Sequence, residues 1–150
     1  MNEQKKRLPI ILNRLKITYK YKHIGAYEIF FCRHGEITFS ISVHKESVTM
    51  SKYLGAYSID QQNRILCLGK RAKAEGYDFE IINDNEERHI EMTCSYTDSW
   101  HLFFSVCCFL YIISGKSSYS KGMTFRKMYV AEIPTDYDKE RKNNEYTCIN

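Results

Sequence analysis

The sequence predicts a mainly β chain: an antiparallel up-and-down meander closed into a barrel of about eight strands, with a short N-terminal helix. Three observations predict it. Apolar and polar residues alternate over many short segments, as half-buried strands require. Tight polar turns separate those segments. The segments also follow one another with few helical patterns between them, and strands with one apolar face must close or stack to bury it.

The elements follow in chain order. Leu8, Ile11, Leu12 and Leu15 fall at i, i+3, i+4 and i+7, a short amphipathic helix with Pro9 tolerated in its first turn. From Lys16 the period changes to two, with Ile17, Tyr19 and Tyr21 alternating with Thr18, Lys20 and Lys22. Strands over residues 26–32 and 37–43 flank Arg33-His34-Gly35-Glu36, where Gly35 can take a positive φ. In the second of these, Ile37, Phe39, Ile41 and Val43 share one face, and Thr38, Ser40, Ser42 and His44 the other. Further strands are expected over residues 53–59, 64–68, 77–82, 88–94 and 123–133. Residues 100–113 are apolar on both alternating faces, so a buried strand and a core helix both fit. Aromatic and β-branched content, with Gly115 following, favours a long strand; the alternative is an α+β fold with a core helix there.

Charge divides the chain of 150 residues into three. Residues 1–24 form a basic arm of net charge +6, whereas 25–133, the barrel domain, and 134–150, a polar tail, are each −1. An aromatic content of 14% with mixed charge excludes disorder, and no collagen, coiled-coil or solenoid period is present. The longest apolar run is too short to span a membrane, and the stretch after Lys5-Lys6-Arg7 is too short for a signal peptide. All six cysteines, Cys32, Cys67, Cys94, Cys107, Cys108 and Cys148, are read as free thiols, most of them set in apolar runs. A soluble, cytoplasmic protein is the expectation.

In outline the pattern resembles the calycin group, the lipocalins and their small lipocalin-like relatives. That group opens its barrel on a Gly-x-Trp signature and closes it with an Arg on the last strand. Gly25-Ala26-Tyr27 stands at the first position, with Tyr for Trp, and Arg126 in Thr124-Phe125-Arg126 at the second. The resemblance implies that Tyr27 and Arg126 meet at the closed end of a barrel, a cation–π pair of about 0.5–2 kcal/mol.

Chemistry-bearing motifs are sparse. No Cys-x₂-Cys or similar pair marks a metal site, so neither metal nor cofactor is expected. His34 with Glu36, and His89 with Glu91, could orient a general base, but such pairs are common on solvated strands. No nucleophile elbow, phosphate-cradling loop or His-Glu-x-x-His occurs. The chain reads as a non-catalytic binding or accessory protein. Its partner would be a protein, or a small apolar molecule held by Phe39, Ile41, Phe79, Ile81, Phe104 and Phe125, unless these simply fill the core. The alternative is binding of nucleic acid or an acidic partner through Lys5, Lys6, Arg7, Arg14, Lys16, Lys20 and Lys22.

Overall fold

The computed structural model describes residues 6–95 and 99–114. It contains helix α1 (Arg7–Arg14), strands β1 (Thr18–Ile24), β2 (Tyr27–His34), β3 (Ile37–Val43) and β4 (Ser47–Tyr53), and helix α2 (Ile59–Ala74). Strands β5 (Asp78–Asp84) and β6 (Glu87–Ser95) and helix α3 (Ser99–Ser114) complete the order. The strands form one antiparallel sheet in the order β1-β2-β3-β4-β6-β5. Strands β1 to β4 run as a meander. Helix α2 then carries the chain across to the far edge, and β6 returns to pair with β4.

Three of the four hairpins turn on two-residue loops, and residues 44–46 join β3 to β4. Gly25 and Gly35 each take the first loop position at φ 60° and 62°, the pattern of a type II′ turn. Asn85 and Glu86, both at positive φ, join β5 to β6.

The register explains which face is buried. One complete row across the sheet is Tyr21–Phe30–Ile41–Met50–Met92–Phe79, read from the paired residues of successive strands. Only Tyr21, at the β1 edge, is substantially exposed in that row. The helices pack on this side. Leu8, Ile11 and Leu12 of α1 are buried, as are Ile65, Leu68 and Ala72 of α2. Helix α3 is buried throughout Ser105–Ile113, contacts β4 and β6, and touches both other helices. Tyr57 donates to the Ile113 carbonyl at 2.8 Å, satisfying one acceptor near the α3 C-terminus.

Several expectations are corrected here. Among the described residues the sheet is not closed into a barrel, and β1 and β5 are its two edges. The described residues hold six strands, where the expected barrel has about eight. Residues 100–113 are helical, the alternative reading, and length gives the reason. A fourteen-residue strand would run roughly 46 Å at about 3.3 Å per residue. A sixteen-residue helix runs about 24 Å and matches strands of seven residues, about 23 Å. The strands expected over 53–59 and 64–68 do not form. Ser58 instead caps α2, accepting from Gln61 N at 3.2 Å while Gln61 Oε1 accepts from Ser58 N at 3.1 Å. The strand of this region is β4, which starts six residues before the expected one and ends on Tyr53. The strand expected over 123–133, with Phe125 and Arg126, and the tail 134–150 lie outside the described residues.

Helix α2 meets the sheet through Gly69. A Cβ built there would lie 2.1 Å from the Phe79 ring, so the glycine is what lets helix and β5 approach. Gly69→Ala is therefore expected to destabilise the protein by about 1–3 kcal/mol in urea denaturation, through overpacking. A gain of about 0.5–1 kcal/mol, the helix-propensity effect alone, would show that the contact is not tight.

Candidate functional site

Strand alternation that buries one face leaves the other to solvent, and here the second face carries an ordered charge pattern. Two complete rows cross it. One reads Lys20–Phe31–Ser40–Ser51–Glu91–Glu80, and the next Lys22–Ile29–Ser42–Thr49–Thr93–Asp78. Both rows start on a lysine at the β1 edge, cross Ser and Thr on the central strands, and end on a carboxylate at β5, joined in the first row by Glu91 on β6. Arg33, paired with Thr18 in the register, adds a cation to the basic side.

Side-chain contacts hold this face in place. Lys22 Nζ lies 5.6 Å from the Phe31 ring centroid, a cation–π contact on a ring that is 45% exposed. Thr49 and Thr93 share a hydroxyl hydrogen bond of 3.0 Å. Tyr53 and His89 rings sit 5.2 Å apart, and His89 Nε2 lies 3.6 Å from Glu87 Oε2. Glu80 Oε1 accepts from Lys73 Nζ at 3.3 Å, an exposed pair of small energetic weight. A shallow groove of about 840 Å³ crosses the basic half, with Lys20, Phe31, Arg33, Ser40, Lys52 and Tyr53 in its lining. Lys52 donates to Thr38 Oγ1 at 3.3 Å and lies 5.6 Å from the Tyr57 ring; partial burial lowers its pKa.

The expected site residues fall in different places. Phe39, Ile41 and Phe79 are buried on the helix-covered face, Phe39 with its ring 5.8 Å from Phe109. Ile81 and Phe104 are partly buried against the same core. Phe104 stacks on Trp100 at 5.9 Å. Tyr27 opens β2 and is 65% exposed; Arg126, its expected partner, lies outside the described residues. The basic arm divides. Lys20 and Lys22 join the outer face, whereas Arg7 and Arg14 flank a separate groove of about 380 Å³ with Ile10, Trp100 and Phe103. Lys6 is exposed before α1, and Lys16 turns the chain into β1 at φ 60°. Lys5 lies outside the described residues.

Sequence reading missed Phe31, Arg33, Tyr53, Glu80 and Glu91 as members of one face. The alternation in β2 and β3 carried that signal, but only the register aligns the strands into rows.

The described cysteines offer this face no activated thiol. Cys32, Cys94, Cys107 and Cys108 are free and buried. Burial pushes the Cys32 and Cys107 thiols up to about 12, and that of Cys94 up to about 11 against a small lowering from Ser105. Such thiols are poor nucleophiles at neutral pH. Cys67 departs from the expectation of free thiols: it is disulfide-bonded. Among the described residues, no three His, Cys, Asp or Glu side chains gather as a metal site, and no helix is long and apolar enough to cross a membrane.

Comparison with protein families, curated proteins and solved structures finds no match to this chain.

The raised thiols fix a pH dependence. A group whose pKa is higher folded than unfolded adds stability below its unfolded value, and that stability is lost as pH rises through the folded one. Unfolding free energy is thus expected to fall from about pH 9 towards pH 12, and Cys32→Ala and Cys107→Ala should shallow that decline. A decline of unchanged steepness in both variants would contradict the assignment.

Proposed function

We propose that the chain is a small non-catalytic binding or accessory protein that receives a protein partner on the outer face of its sheet. The observation that carries this reading is the charge order of the two rows, lysine at one edge, hydroxyls between, carboxylates at the other. A surface with opposite signs at its two edges suits a partner that carries both signs itself. A polyanion would gain at Lys20, Lys22 and Arg33 and be repelled at Asp78, Glu80 and Glu91. A small apolar ligand has no use for the charge order, and Phe39, Ile41 and Phe79 are already packed among their neighbours. This role needs neither a closed barrel nor kinship with lipocalins. Cytoplasmic location is part of the proposal: the four free thiols support it, and the Cys67 disulfide does not.

A second reading keeps single-stranded nucleic acid, favoured by the exposed Phe31 and Tyr53 rings beside Lys20, Arg33 and Lys52 in one groove. Two measurements separate the three. A native mass spectrum of the purified chain is expected to carry no small organic molecule that leaves on denaturation; a reproducible adduct would restore the apolar-ligand pocket. Fluorescence anisotropy with a short oligothymidylate is expected to show no saturable binding at physiological salt. Binding with a log–log salt slope near −2, the value for about three neutralised phosphates, would replace the protein partner by nucleic acid.

A further inference from the structure

We propose that the outer face pairs with the same face of a second copy of this chain, about a two-fold axis parallel to the strands between β3 and β4. The inference rests on reading that face as a docking surface, and it names the occupant.

The outer face is self-complementary in charge. In the strand order β1-β2-β3-β4-β6-β5, the midline of the sheet falls between β3 and β4. A two-fold axis along that midline lays β1 over the partner's β5, β2 over the partner's β6, and β3 over the partner's β4. Each row then faces its own reverse. Lys20 meets the partner's Glu80, and Lys22 meets the partner's Asp78, twice each by symmetry. At the centre, Ser40 faces the partner's Ser51 and Ser42 the partner's Thr49. Small hydroxyl side chains there let two sheets approach within the usual spacing of about 10 Å. A two-fold axis running across the strands would instead place lysine on lysine. Charge order therefore selects one arrangement, and such an isologous pair is closed and cannot extend into a filament.

Lys73 does not cancel the pairing. It occupies Oε1 of Glu80 from the side of α2, and Oε2 is the oxygen the partner's Lys20 would meet. The size is also sufficient. Six strands about 4.8 Å apart and seven residues long at about 3.3 Å cover roughly 29 by 23 Å, close to the ~800 Å² per partner of a standard interface. By the same operator Phe31 and Ile29, on the middle strand of one half, face the partner's Glu91 and the partner's Thr93.

Sedimentation equilibrium of three proteins tests this. The wild-type chain is expected to be dimeric at micromolar concentration. Lys20→Glu/Lys22→Glu sets four carboxylates against one another at each edge, and Asp78→Lys/Glu80→Lys does the same with lysines. Each double variant should weaken the dimer by roughly a hundredfold or more, with unchanged circular dichroism, because like charges face each other. An equimolar mixture of the two variants should dimerise again, since both edges then become attractive. A monomeric wild type, or variants that stay dimeric, would overturn the second copy. Amide chemical shifts then separate this failure from failure of the docking face. A monomer whose Lys20, Phe31 and Arg33 amides move on adding a Glu-rich peptide keeps the face and loses only the second copy as its occupant; a monomer that does not respond loses both.

Discussion

The structure depends on the contact between helix α3 and the apolar row of the sheet. Helix α3 is apolar on every side, so it is stable only where it can be covered from all directions. The sheet supplies one wall, with Ile41, Met50, Ile90 and Met92 all fully buried. Helices α1 and α2 touch it from the flanks through residues that repeat at helical spacing. The match of lengths makes this possible, since seven-residue strands and a sixteen-residue helix span nearly the same distance. Each large side chain so buried contributes about 1.5–3 kcal/mol relative to exposure.

Committing one face of a pleated sheet commits the other. Because side chains alternate with a period of two, every residue placed against α3 sends its neighbours outward. Ile41 inward means Ser40 and Ser42 outward; Met50 inward means Thr49 and Ser51 outward. The outer face is thus a by-product of the core in its location, but not in its composition. Nothing in core packing demands lysines on β1 and carboxylates on β5 and β6. Edge charges also guard exposed strand edges against pairing with other chains, which accounts for some charge at both edges. It does not account for their opposite signs, and that residual order is what the docking proposal uses.

How much of this was legible in the sequence depends on whether the deciding interaction was local. The helix at Leu8–Leu15, the strand at Ile37–Val43 and the turn at Gly35 were readable, because period and turn chemistry act within a few residues. Helix α2 was legible but unread: Ser58 and Gln61 form a capping box, and Ile65, Leu68 and Ala72 keep helical spacing. For residues 100–113 the alternation of apolar residues says nothing, because a helix buried all round and a strand buried on both sides look alike. Their length, fourteen residues against seven to nine in the strands of the sheet, decides it. The pairing of β4 with β6 was not readable at all. It joins Met50 to Met92 across α2 and β5, and with it go the charge rows that assemble the candidate face.

Among the described residues, the fold rests on an open sheet with two dissimilar faces. Amide hydrogen exchange, resolved by residue in the edge strands, tests it most directly. In an open sheet every second amide of β1 and β5 points away from any neighbour and exchanges within minutes, while β3, β4 and β6 are protected by pairing on both sides. That alternation is the predicted result. Uniform protection along β1 and β5, equal to that of β3, would mean that both edges are paired, as closure requires, and would contradict the account.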